Sequence, residues 1–150
     1  VKKPGTSRAF FSGKTDPDKD HRMNIRVYKA PVGKLAQTVD AGSHILLSDV
    51  PTDDGGDSLA PDPHDLLDGA LGACTALTVK MYAARKGWPL ANADVVITHE
   101  ESPGHYRLNR TVTLQGELSD EQRARLLEIA NKCPIHRILS GEISISTELA

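Results

Sequence analysis

At 150 residues, with 39 % apolar and 25 % charged side chains, the chain is long enough for one compact soluble domain or one protomer of an intertwined oligomer. A formal net charge of −2 and the lack of a long Lys/Arg run argue against nucleic acid or an anionic membrane surface as the main partner. No apolar stretch is long enough to cross a bilayer and the first residues carry no apolar signal core, so a cytoplasmic protein is expected.

Residues 1–22 are polar, mixed in charge and interrupted by Pro4, Gly5, Gly13 and Pro17, which predicts a tail or arm ahead of a single domain spanning 23–150. Residues 23–29 alternate as a strand does. Residues 34–39 and 43–49 read as a hairpin about Asp40-Ala41-Gly42, where Gly42 can supply a positive φ. The Pro-, Asp- and Gly-rich run 50–61 is a loop.

The stretch 62–87 is a long helix. Asp62 is placed to cap it, Pro63 suits its first position and Gly87 can close it. Apolar residues recur at 66, 67, 70, 71, 74, 77 and 81, and Gly69 to Val79 carries no charge, which predicts burial on most sides. Gly69, Ala73 and Ala76 share one face that invites close approach of another backbone.

Residues 94–100 and 107–115 read as two strands joined through Pro103 and Gly104. Ser119 and Gln122 form a capping box that opens a helix over 120–132, stopped by Pro134. The alternation of Ile143, Ile145, Thr147 and Leu149 predicts a half-exposed strand over 142–149. The order strands, helix, strands, helix, strand implies an α+β fold with antiparallel sheet packed around two helices.

Two cysteines leave two readings open by count: inert buried thiols, or a functional pair. Cys74 lies mid-helix among Gly72, Ala73, Thr75 and Ala76, so its sulfur can sit in a narrow pocket, but a reactive thiol there needs a cation or donor from elsewhere. Cys133 sits where a helix breaks, which suits a thiol that must move to meet a partner. Cys133 and His136 have the spacing of half a zinc site, yet no second pair at ligand spacing exists, so no metal is expected. Trp88 reads as a packing anchor, and Arg123, Arg125 and Lys132 as a solvated helix face.

The segment DPHDLLDGALGACTALTVKMYA at 62–83, followed by NKCPIHRIL at 131–139, resembles the paired cysteine signatures of the OsmC/Ohr family. The resemblance implies an intertwined α+β homodimer. It implies a thiol-dependent peroxidase in which Cys74 attacks an organic hydroperoxide and Cys133 resolves the product as a disulfide, with an external dithiol as reductant and no cofactor. A non-catalytic small-ligand binder on the same fold is the alternative. The family's peroxidases carry a glutamate ten residues before the first cysteine, where this chain has His64, so His64 joins the two cysteines as a candidate catalytic residue. They also carry an early arginine that activates the thiol. No arginine here matches it clearly, and Lys34 and Arg26 are the nearest candidates by position.

Overall fold

The computed structural model describes residues 24–150, and the tail expected over 1–22 lies outside the described residues. The chain divides into two compact units, one ending at Ala60 and one running Pro61–Ala150.

The first unit is a three-stranded antiparallel sheet of β1 (Arg26–Lys29), β2 (Gln37–Ala41) and β3 (His44–Ser48), with β2 in the middle. The β2–β3 hairpin turns at Gly42, whose φ is +72° and whose N–H donates to Asp40 Oδ1 at 2.9 Å. The acidic loop that follows is ordered from within. Buried Asp49 accepts the N–H groups of Val50, Asp57 and Leu59 at 2.9, 3.1 and 3.1 Å. Those three donors hold its carboxyl below the usual carboxylate value, the Leu59 N–H most of all. Lys34, one of the two cations nearest by position to the family's activating arginine, is paired with Asp57 at 3.0 Å, and Arg26 lies over the Tyr28 ring at 5.1 Å.

The second unit is built on α1 (Pro63–Lys86), an antiparallel hairpin of β4 (Leu90–Ser102) and β5 (His105–Gly116), and two shorter helices, α2 (Asp120–Ala130) and α3 (Pro134–Leu139). The caps expected from the sequence are present. The Asp62 side chain accepts the Asp65 N–H at 2.9 Å, Gly87 closes α1 at φ +65°, and the Ser119–Gln122 box opens α2. Gly116 could be no other residue without a shift of the chain: a Cβ there would lie 2.1 Å from the Pro89 carbonyl oxygen.

α1 packs on β4, α2 and α3. Leu71, Thr75, Val79 and Ala83, spaced three to four residues apart, form its buried line. Val79, Ala83, Ala93, Leu126 and Ala130 make the core, with Tyr82, Trp88, Leu90, Val112, Leu114 and Leu118 packed against it. Trp88 meets Tyr82 edge-on at 5.6 Å, as a packing anchor should.

Four expectations are corrected. Among the described residues only one side of α1 is covered, and Leu67, Leu77 and Met81 are exposed. Periodicity reports which residues are apolar, not whether their partner belongs to the same chain. Residues 142–149 form no strand and Ile145 is 84 % exposed, because a strand exists only when another edge accepts its backbone hydrogen bonds. Pro134 stops α2 and also opens α3 as its first residue. Finally, the arginines of α2 are cross-ties rather than a solvated face. Arg123 donates to the carbonyls of Leu114 and Gly116 at 2.8 and 2.9 Å, and Arg125 to the Tyr82 hydroxyl at 3.2 Å.

Candidate functional site

The three residues singled out in the sequence fall on α1 and at the start of α3. Cys74 is half-buried on α1, Cys133 is fully buried at the N-cap of α3, and both are free thiols. The side chain that meets Cys133 is that of Thr75, the residue after Cys74. Thr75 Oγ1 lies 3.6 Å from Cys133 Sγ although the two positions are 58 apart. The Thr75 hydroxyl also reaches the Leu71 carbonyl at 2.7 Å, and the His136 N–H donates to Cys133 Sγ at 3.3 Å.

Behind Thr75 stands a cation that the sequence reading passed over. Arg110 Nη1 donates to Thr75 Oγ1 at 2.9 Å and Nη2 to Asn131 Oδ1 at 2.7 Å. Both acceptors are neutral, and among the described residues no carboxylate pairs with this guanidinium. Its signal in the sequence is the alternation of β5. Tyr106, Leu108, Arg110, Val112 and Leu114 all lie on the half-buried face of that strand, so Arg110 is a charge in an otherwise apolar series.

His64 stands at the other end of this unit, exposed near the start of α1. Ten residues separate it from Cys74, about 15 Å along one helix, so it does not reach the sulfur of its own chain. It stacks on Tyr106 with ring centres 5.8 Å apart, lies 6.1 Å from the His99 ring, and has Glu101 at 3.7 Å. Asp68, one turn further along α1, accepts from His99 Nδ1 at 2.6 Å and from the Tyr106 hydroxyl at 3.0 Å. The hydrogen bond to Asp68 raises the His99 pKa above its ordinary 6.5, against the opposing effect of burial. Tyr106 is pushed up to about 12, first by burial and then by its bond to Asp68. Asp68 had no signal in the helical pattern beyond being an acid near the buried line of α1.

Between these two clusters runs a groove of about 1000 Å³. Leu71, Tyr106, Arg110, Leu127, Asn131 and His136 are among its lining residues. A smaller groove of about 470 Å³ lies between α1 and β4, where Gly69, Ala73 and Ala76 are open and Gly72 approaches Ile97. Among the described residues no cluster of His, Cys, Asp and Glu has the arrangement of a metal site, and no helix is long and apolar enough to cross a membrane.

A cysteine-bearing helix packed against an antiparallel hairpin, and joined through a threonine to the cysteine that caps a second helix, defines a thiol-containing α+β protein. A family model described as OsmC-like protein matches residues 55–148, more than half of the chain, and the chain belongs to that family. No curated protein matches it by sequence. Solved structures share the fold. An OsmC-like protein from Mycoplasma pneumoniae matches with TM-score 0.68 at 18 % identity, over 81 % of this chain and 89 % of its own. A proposed osmotic stress induced and detoxification response protein from Psychrobacter arcticus 273-4 matches with TM-score 0.67 at 20 % identity, over 87 % and 91 %. The organic hydroperoxide resistance protein OhrB of Bacillus subtilis matches with TM-score 0.51 at 18 % identity, over 79 % and 91 %.

Proposed function

We propose that this protein is a thiol-dependent peroxidase that reduces organic hydroperoxides as part of the response to oxidative stress. In this reading the Cys74 thiolate attacks the terminal oxygen of the O–O bond, an alkoxide leaves and Cys74 becomes a sulfenic acid. Cys133 then attacks the Cys74 sulfur, a disulfide forms and water is released. An external dithiol restores both thiols. The observation that carries the reading is the contact between the two cysteine-bearing segments. Thr75 beside Cys74 touches Cys133 across 58 positions, and neither cysteine is in a disulfide. Family membership and the fold shared with a hydroperoxide resistance protein support the same substrate class.

The working unit in this proposal is a cytoplasmic homodimer. Its support is the bare line of Leu67, Leu77 and Met81 on α1, the helix that carries Cys74. His64, too far from its own Cys74, then serves the Cys74 of the second copy. Mixed heterodimers of His64→Ala and Cys74→Ser chains are expected to recover about one working site. No recovery in verified heterodimers removes His64 from the mechanism.

The test of the whole reading is a thiol count after one equivalent of cumene hydroperoxide. The parent is expected to lose both thiols to a disulfide, Cys133→Ala to lose one to a sulfenic acid, and Cys74→Ser to lose none. A parent that keeps both thiols is not a peroxidase. The groove of about 1000 Å³, lined partly by Leu71 and Leu127, would then favour a non-catalytic binder of small amphipathic ligands.

A further inference from the structure

The chain has three tyrosines, and their surroundings differ in the sign of the nearby charge. The Tyr106 hydroxyl donates to the Asp68 carboxylate at 3.0 Å, so its proton is held, and the phenol is pushed up to about 12, first by burial. Tyr28 is the most open, at 40 % exposure, with Arg26 over its ring at 5.1 Å. Tyr82 is half-buried, lines neither groove and faces cations from two helices. Lys86 follows it by one turn on the same face of α1, with Nζ 5.8 Å from the ring centre. From α2, Arg125 donates its Nε–H to the Tyr82 oxygen at 3.2 Å and brings its guanidinium carbon 5.7 Å from the ring centre. Glu128, which pairs with Arg125, acts against these cations. Trp88 meets the Tyr82 ring edge-on at 5.6 Å.

We infer that Tyr82 is the nitration site of this chain, the residue at which one-electron nitrating oxidants of the nitrogen dioxide class form 3-nitrotyrosine. The inference does not rest on the peroxidase reading and uses neither cysteine.

Oxidants of this class take an electron from a phenolate far more readily than from a phenol, so the site is set by which oxygen gives up its proton. The Tyr82 oxygen accepts from Arg125, whereas the Tyr106 hydroxyl gives its proton to a carboxylate. The Arg125 hydrogen bond holds the Tyr82 phenol below its ordinary 10. Burial opposes it, the charges of Arg125 and Lys86 support it, and Glu128 opposes it.

In the first step the phenolate passes one electron to nitrogen dioxide, which leaves a phenoxyl radical and nitrite. A second nitrogen dioxide bonds to the ring carbon beside the C–O bond, and the proton on that carbon moves to the oxygen. One phenolate and two nitrogen dioxide molecules thus become one nitrophenol and one nitrite. The phenol is oxidised and nitrogen dioxide is reduced. The nitro group acidifies the hydroxyl, so the product is an anion near neutrality, placed between Arg125 and Lys86. It ties α1 to α2 more firmly than the phenol does.

The test treats the full chain with tetranitromethane at about pH 8, below the ordinary tyrosine value, and maps the nitrated peptides. This reagent takes an electron from the phenolate, releases trinitromethanide and delivers nitrogen dioxide to the ring. Thiols consume part of it, which leaves the comparison among tyrosines of one chain intact. More nitro group is expected on Tyr82 than on Tyr28 and Tyr106 together, although access alone favours Tyr28. Arg125→Met should drop the Tyr82 share below that of Tyr28. If that variant fails to fold, the exposed Lys86→Met should lower the share in the same direction. The nitrated parent gives a readout that needs no variant: its nitrophenol absorbance should titrate at lower pH in the folded chain than in urea. Tyr28 as the main site, a Tyr82 share unmoved by loss of either cation, or a folded nitrophenol that titrates at or above its value in urea overturns the inference.

Discussion

Asp68 on α1 and His99 on β4 are joined by a 2.6 Å hydrogen bond, and the Tyr106 hydroxyl completes the cluster on the same carboxylate at 3.0 Å. The bond ties the N-terminal half of the central helix to the far end of the β4–β5 hairpin, the end that borders the larger groove.

This pair gives stability a pH dependence of known sign. The folded His99 pKa is raised above the ordinary 6.5, so the folded state binds its proton more tightly than the unfolded chain does. The resulting stabilisation is fully present below about pH 6.5 and is lost as pH rises through the elevated folded value. Denaturant unfolding at several pH values is expected to show this decline, and His99→Gln should flatten it. An identical slope in the variant would detach the effect from His99.

How far the sequence foretold these clusters depends on what each signal encodes. Helix ends are local, so Asp62, Gly87 and the Ser119–Gln122 box were legible and stand where expected. The expectation that Cys74 and Cys133 share one site came from the family resemblance. Geometry adds that Thr75 is the side chain between the segments, which no local pattern specifies. Arg110 and Asp68 act across elements, and their only trace is a charge on or near a face that otherwise faces inward. The run 142–149 has the pattern of a strand without the strand, because alternation describes amphipathy while a ladder needs a second edge.

The loop after β3 should depend on one carboxylate. Asp49 accepts three backbone N–H groups, and its folded pKa is lowered below 3.8. Its stabilisation is present above that unfolded value and lost as pH falls through the depressed folded one. Asp49→Ala is expected to speed proteolytic cleavage within residues 50–60 and exchange of the Asp57 and Leu59 amides at neutral pH. Wild-type protection of both amides in the variant would show that other contacts hold the loop.

The core offers a simpler measurement. Leu126 on α2 is fully buried against Val79, Ala83 and Ala130. Truncation to alanine removes three carbons from a site with no solvent access and should cost about 2–5 kcal/mol in denaturant unfolding. A loss below about 1 kcal/mol would mean that the surrounding side chains collapse into the space.

The last expectation concerns the uncovered side of α1. Leu67, Leu77 and Met81 are 38 %, 60 % and 53 % exposed, and they lie on a helix whose other side is the core of the second unit. Covering one such side chain fully is worth about 1.5–3 kcal/mol, so a line of them left in water is a sizeable cost unless another surface meets it. A second copy of the chain is the proposed occupant, since Cys74 lies on the same helix and His64 is too far from it within one chain. Leu77→Glu places a charge in the middle of this line without touching the buried residues Leu71, Thr75, Val79 and Ala83. Sedimentation of the parent should give a dimer, and the variant should shift toward monomer while its circular dichroism keeps the helical content of the parent. Peroxide turnover should fall with the dimer, because in the proposed mechanism His64 acts on the Cys74 of the second copy. A parent that sediments as a monomer at micromolar concentration would remove the dimer. A Leu77→Glu dimer as tight as the parent's would place the interface on another face.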